Sequence, residues 1–387
     1  MKSVDVLIVG GGIVGYALAG ALGRFDLSVM LLDPNKGSIP TRPTTGVYPA
    51  SNRVFTIRPS VRDFLRNIGL WGAIDESRSQ KVSKMLIYSG ADAPLIFDAY
   101  QTGFDQLATV VEYEELIRVT SGSVNTQSTN VVEAGFEGVT LDKDRVIVET
   151  IVGPISCKLL VGADGGSSEV RKAANIDFTY HDYEYTGVVA SFSTARSHAG
   201  IAYQKFVDRS VIAFLPLPSG RTNLVWSLKN ELARELKEGN ILERVSALFN
   251  PLGIRALETS IGKFPLGKLK ASATCSGRVA LVGDSAHQFL PLAGQGLNVG
   301  LSDVQKLVEL IAFFGQVDPG SDAVINRYRR ARREEIESFS FVTGAIHESL
   351  ISSRRIGELF RDTSLDLINH CHLAKRFLVN KAAGYDF

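Results

Sequence analysis

The residues best equipped for chemistry are glycines set around an anion-sized space. Gly10, Gly12 and Gly15 form a Gly-x-Gly-x-x-Gly run with Ile13 and Val14 inside it, and Asp33 follows the next apolar stretch. A glycine at the first position permits a tight turn. One at the second lets a pyrophosphate reach the backbone N–H groups that open a helix, and one at the third lets that helix pack close to a strand. An acid about twenty residues further on is placed to accept hydrogen bonds from a ribose. The run is bland by itself. Between an apolar strand and a helix, and followed by an acid, it reads as a dinucleotide site, with NAD and FAD both open.

A second constellation separates them. Gly283-Asp284-Ser285-Ala286-His287 follows the apolar run Val279 to Val282 and continues through Pro291, Gly294, Gln295, Gly296, Leu297 and Asn298. A carboxylate after a buried strand suits the hydroxyls of a ribityl chain. A glycine-rich helix start offers N–H groups and a positive dipole end, which suit the negative charge of a reduced flavin's pyrimidine edge. A surface turn would explain the glycines but not the aspartate, proline and asparagine together. Pro291 and the start Gly294 to Asn298 are therefore expected to bracket that edge of FAD.

These groups need a scaffold. Val4 to Val9 is almost continuously apolar, as in a central parallel strand covered on both faces. A small-residue helix from about Ile13 to Leu22 and a strand Leu27 to Leu32 complete a βαβ unit. Asp33 to Pro49 reads as a long loop, and Val61, Phe64, Leu65 and Ile68 keep helical spacing up to a capping Gly69. Short strands are expected between Lys81 and Ala99, a helix near Glu112 to Thr120, a hairpin around Asp142 and a buried strand Ile155 to Val161. The stretches Gly187 to Ser193, Ile201 to Phe206, Val211 to Leu217 and Asn223 to Leu228 suggest one antiparallel sheet. A polar helix from Glu231 to Phe249 is expected on it, and long helices over Gly296 to Phe314 and Asp322 to Ile351. The expected class is α/β: a Rossmann-like FAD-binding domain (1–80, 100–180 and 265–340), an inserted β-sheet substrate domain (81–99 and 181–264) and a helical segment (341–387).

Bulk composition excludes several classes. Lys and Arg number 42 against 41 Asp and Glu, so no overall field attracts nucleic acid. Cys157, Cys275 and Cys371 follow no metal-ligand spacing and read as reduced, mostly buried thiols. No apolar run is long enough to span a membrane, and the strand pattern beginning at Val4 leaves no room for a leader, so a cytoplasmic protein is expected. There is one glycine fingerprint, so NAD(P)H is expected to visit transiently rather than stay bound.

In these motifs the chain resembles the ubiquinone-biosynthesis hydroxylases, FAD-dependent relatives of para-hydroxybenzoate hydroxylase. Gly283 to Asp303 is similar to their flavin-binding signature, and Gly162-Ala163-Asp164-Gly165 with Ser168, Val170 and Arg171 to their second motif. Ser51-Asn52-Arg53-Val54, Gly69-Leu70-Trp71, Phe214-Leu215-Pro216-Leu217 and Phe264-Pro265-Leu266 extend the likeness along most of the chain. The resemblance implies an NAD(P)H-driven monooxygenase that places an OH from O2 on the ring of a prenylated phenol or quinone precursor. It implies that Asp164 lies near the FAD pyrophosphate, with one or both of Arg53 and Arg118, for which a surface salt bridge is the blander alternative. A polyprenylated substrate would also bring peripheral contact with the inner face of a membrane and with a biosynthetic complex; a homo-oligomer is equally compatible. Leu290 stands where the family has histidine, Tyr113 follows Glu112 where it has asparagine, Asn175 replaces a helix-ending glycine, and Asp208-Arg209-Ser210 replaces a Gly-Pro turn.

Other candidates carry blander alternatives. His287 could be a general base, but a histidine satisfied by backbone groups is the simpler reading. Trp71 and Trp226 read as core anchors, and Tyr183, Tyr185 and Tyr203 as residues that could face a substrate from the sheet. Arg354, Arg355, Arg361, Lys375 and Arg376 fit a solvated helix face. No acid or base can be assigned to catalysis. Two rival functions stay open: a monooxygenase or epoxidase of another aromatic or isoprenoid metabolite, and a flavin-bound scaffold with little turnover.

Overall fold

A computed structural model describes residues 1–36, 51–89, 94–124, 129–207, 209–289, 295–351 and 383–384. The first sheet grows from the strand Lys2–Val9, whose Val6, Leu7 and Ile8 are wholly buried. Each such side chain contributes about 1.5–3 kcal/mol on leaving water. The strand lies parallel between Val29–Leu32 and Ile155–Gly162, with Thr129–Val132 and Val279–Leu281 outside them. A strand buried on both faces has no use for alternation, which explains the continuous apolar run. The helix Ile13–Leu22 packs on this sheet through small residues. It comes so close that a Cβ on Gly15 would lie 2.0 Å from the Gly10 carbonyl oxygen.

The second sheet has as its spine the strand Phe178–Thr194. Gly262–Ala271 and Arg221–Lys229 flank it antiparallel, and Ser210–Leu217 and Ile201–Val207 follow outward. Here alternation is strict, as in a sheet whose faces differ. Ile212, Phe214, Leu224, Trp226 and Leu228 pack on one face under the helices Asn230–Glu235 and Glu238–Leu248. Val211, Ala213, Leu215, Val225 and Ser227 point the other way, into a cavity. The sheet is not purely antiparallel: Ile201–Val207 also pairs parallel with Lys84–Tyr88.

Three local features depart from the sequence reading. The polar helix expected from Glu231 to Phe249 is two helices, because Leu236 and Lys237 are extended and the Asn240 side chain caps the second by accepting the Lys237 N–H at 2.8 Å. A small sheet of Val54–Ile57, Ala108–Glu112 and Ser79–Val82 was not anticipated. The spine strand also begins earlier than expected. The helices Gly296–Phe314 and Asp322–Ile351 match the expected bounds, as does Pro59–Asn67 before Gly69, whose φ of +78° is the left-handed cap. Past Ile351 the expected helical segment is described only at 383–384, so Arg354, Arg355, Arg361, Cys371, Lys375 and Arg376 lie outside the described residues. Cys157 and Cys275 are free, and burial pushes both thiols up to about 12. Among the described residues no helix is long and apolar enough to cross a membrane.

Candidate functional site

The two glycine constellations meet at a continuous trough. A cavity of about 940 Å³ runs from Gly12, Ile13 and Val14, past Gly283, Asp284, Gln295, Gly296 and Leu297, to the inward face of the second sheet. A neighbouring cavity of about 630 Å³ shares Gly12, Tyr113, Ala163 and Gly165 with it and is walled by Gly10, Asp33, Asn35 and Asp164. Such a space suits a long ligand with chemically different ends.

The turn between Val9 and Ile13 is shaped by what glycine lacks. Gly10 has φ +114°, and a Cβ there would lie 2.3 Å from the Ala163 carbonyl oxygen; one on Gly11 would lie 2.1 Å from the Asp33 carboxylate. At Gly12 a Cβ would meet no atom within 4 Å, although the residue borders both cavities. Gly12 is therefore spare for the fold and needed only if something occupies the space above it. Asp33 ends the next strand, accepting a hydrogen bond from the Tyr16 hydroxyl at 2.6 Å and from the Asn35 N–H at 2.9 Å. Burial first, then the Asp33 charge, push the Tyr16 hydroxyl up, so it stays a donor. The carboxylate is fixed in orientation and retains lone pairs for a ligand.

Asp164 accepts the Val170 N–H at 3.1 Å through one oxygen, while its other oxygen is buried without a partner among the described residues. Ser168 caps the helix Glu169–Ala173, and Arg171 donates to the carbonyls of Gly166 and Ser285 at 2.7 Å each. Arg171 thereby ties the second motif to the Gly283–His287 turn. Arg53 borders the larger cavity with its guanidinium 4.8 Å from the Tyr113 ring and 5.1 Å from that of Phe55. Arg118 is placed otherwise than expected. It lines neither cavity, and it donates to both Glu115 oxygens and to the Ala73 carbonyl. Its charge is taken up by an acid on its own helix, which removes the reason to place it near a pyrophosphate.

The helix Gly296–Phe314 presents its N-terminus to the larger cavity through Gln295, Gly296 and Leu297. Asn298 does not join them. It is fully buried, accepting the Arg58 N–H at 3.0 Å and donating to the Thr56 carbonyl at 2.7 Å. It is a clamp that fixes the helix start against the segment before Pro59, not a lining group. Pro291, Gly294 and Leu290 lie outside the described residues. Asp284 is exposed to the cavity, and Gly283, at φ +62°, donates its N–H to Asp303 at 2.8 Å.

That last contact opens a network the sequence reading missed. Asp303 also accepts from His287 Nε2 at 2.8 Å and from Arg332 Nε at 2.5 Å, with all three side chains almost wholly buried. Burial alone would push Asp303 up, but His287 and Arg332 outweigh it and hold the carboxyl below the usual range. Arg332 also pairs with Glu335, and Glu335 with Arg58, which donates to Ser302 Oγ at 2.6 Å. His287 is thus a structural histidine held by a carboxylate rather than by backbone groups. Arg332 was visible in principle: Ile325, Tyr328, Arg332 and Ile336 share one buried helical stripe. Of the three tyrosines singled out on the sheet, Tyr203 touches the cavity lining but packs against the core behind the sheet, whereas Tyr185 donates to the Arg209 carbonyl and Tyr183 packs edge-on to His181. Trp226 is buried in the core beneath the helices, and Trp71 packs against the first core.

The chain compares closely with known proteins. The family pattern described as FAD binding domain matches residues 3–339. The chain is 31% identical over 357 residues to "Ubiquinone biosynthesis monooxygenase COQ6, mitochondrial" of Drosophila melanogaster, covering 80% of this chain and 74% of that protein. It is 29% identical over 394 residues to "Ubiquinone hydroxylase UbiL" of Rhodospirillum rubrum, covering 99% and 90%. Among solved structures it resembles the p-nitrophenol 4-monooxygenase PnpA of Pseudomonas putida, with a TM-score of 0.81, 20% identity and full coverage of both chains, a likeness of fold.

Proposed function

Because the chain belongs to the FAD binding domain family and groups within it with the ubiquinone biosynthesis monooxygenases, we propose that it hydroxylates the ring of a prenylated phenol or quinone precursor in ubiquinone biosynthesis. The observation that carries this reading is the continuity of the 940 Å³ cavity. One end is an anion cradle, and the other is an aliphatic wall on the second sheet. The residues present fit FAD. The N–H groups opening the helix Ile13–Leu22 would hold the pyrophosphate, with Gly12 leaving room for it and Arg53 adding charge. Asp33 would hold the ribose hydroxyls, and Asp284 and the unpartnered Asp164 oxygen further hydroxyls or a bridging water. The N-terminus of the helix Gly296–Phe314 would favour negative charge beside Gln295–Leu297.

The chemistry FAD supplies when bound is hydride uptake from NAD(P)H and activation of O2 for ring hydroxylation. The chain's own part is to position and to exclude. Val189, Ala213 and Val225 line the wall and keep water away from the ring, while the helices behind the sheet hold it rigid. A prenyl tail is the partner such an aliphatic wall suits, and its length would bring the mouth of the cavity to a membrane surface or to a neighbouring enzyme of the pathway.

The test is the quinone lipid profile of cells lacking the gene, beside the complemented strain. Loss of ubiquinone with accumulation of a precursor short of one ring oxygen is expected. An unchanged profile in a strain without a second such hydroxylase would refute the pathway. Purified holoenzyme should also show substrate-stimulated NAD(P)H oxidation with a hydroxylated product, which a scaffold without turnover would not.

A further inference from the structure

The cavity face of the second sheet is a set of cross-strand rows. In one of them Gln204 stands beside Ala213, Ala213 beside Val225, Val225 beside Val189, and Val189 beside Gly262. All five border the cavity. In this run of aliphatic side chains and one glycine, Gln204 alone carries an amide.

Gln204 is only 8% exposed, yet its side chain hydrogen-bonds no described residue. An amide has two donor hydrogens and two acceptor lone pairs, and here they are open to whatever occupies the cavity. Neighbouring side chains do not take them up. Across the strands it faces Ala213 on one side and Ile87 on the other, and Tyr203, next in sequence, packs against the opposite core. Lys263, which also borders the cavity, donates its ammonium to the carbonyls of Ala233 and Leu236 at 2.6 and 2.8 Å. The row around Gln204 therefore suits a neutral ring oxygen.

We propose that Gln204 is the specificity-determining residue of the substrate cavity, hydrogen-bonding a neutral oxygen substituent of the aromatic ring and so setting how the ring lies in the aliphatic wall. The assignment rests on the function proposed above. An amide serves a phenolic hydroxyl by accepting its proton, and an alkoxy or quinone oxygen by donating to it. The smallness of Ala213, Val225 and Gly262 leaves the space in which a ring can reach it.

The test uses FAD-loaded enzyme and two probes, 2-farnesylphenol and farnesylbenzene, which differ by the ring oxygen. Binding is read from the flavin absorbance change, and KM and kcat from NAD(P)H oxidation with product analysis. Wild-type enzyme is expected to bind the phenol about tenfold more tightly than the hydrocarbon, the worth of one hydrogen bond to a buried amide. Gln204→Leu is expected to lose that preference by weakening the phenol alone, leaving farnesylbenzene unchanged. Equal loss for both probes, or none for either, would overturn the role of Gln204 and leave the substrate class standing. A wild-type enzyme with no preference for the phenol overturns it without any variant. Wild-type enzyme that holds FAD but binds neither probe would overturn the prenylated-substrate reading itself, and the Gln204 assignment with it.

Discussion

Arg332→Met removes the cation from a carboxylate that has almost no access to water. Asp303 is 1% exposed and fully enclosed by His287, Arg332 and the Gly283 N–H, with the Tyr328 ring alongside and its hydroxyl turned to the Leu281 carbonyl. Breaking a buried ion pair from one side costs about 3–5 kcal/mol, because the remaining charge stays buried. For 387 residues the entropy of unfolding is roughly 0.8 kcal/mol per kelvin, so Tm should fall by about 4–6 °C at neutral pH. The pH dependence has a definite sign. In the wild type Asp303 is held below its ordinary range, so its contribution is present at neutral pH and is lost as pH falls through that depressed value. In the variant Asp303 loses one of the two partners that offset its burial, so it is held less far below its ordinary range and its protonation relieves the buried charge sooner. The gap between the two proteins should therefore narrow as pH is lowered from 7. Adding D303N to R332M should restore several degrees, since no charge is then stranded. Differential scanning calorimetry with FAD content measured in parallel decides it. A Tm loss under about 1 °C, or a double variant no better than R332M alone, would refute the reasoning.

The cradle makes a sharper contrast between neighbours. Gly12→Ala should leave the melting temperature of FAD-free protein unchanged while weakening FAD binding at least tenfold, because its Cβ meets no protein atom but enters the trough; Gly11→Ala should lower both, since its Cβ would overlap the Asp33 carboxylate. FAD titration of apoprotein followed by fluorescence separates the two, and equal behaviour would contradict the geometry. Tyr16→Phe removes the 2.6 Å hydrogen bond that aims Asp33, and a bond to a charged acceptor is worth about 1.5–3 kcal/mol, so FAD affinity should drop roughly tenfold or more with little change in kcat at saturating FAD.

What could be read from the chain and what could not divides along a physical line. The cradle was legible because backbone approach demands glycine: the φ of +114° at Gly10 and the 2.0 Å a Cβ on Gly15 would leave to the Gly10 carbonyl oxygen admit few other residues, so the spacing itself records the geometry. The parallel strands were legible because burial on both faces permits nothing but apolar residues from Val6 to Val9. The charged network was not, because an arginine in a long polar helix carries no mark of where it points until its neighbours are counted by helical turn; Arg332 reaches Asp303 across 29 positions of sequence. Arg118 and Asn298 show the reverse error. Arg118 was a candidate by resemblance, with a salt bridge as its alternative, and Asn298 by motif, yet Glu115, three residues away, takes the charge of one, and Thr56 and Arg58, more than two hundred positions away, take the polar groups of the other. A hydrogen-bonding side chain can be spent on the fold as readily as on a cofactor, and sequence position does not say which. Gln204 illustrates the remedy: its candidacy comes from an amide that faces the cavity and engages no described residue, which shows only once the strand register is known.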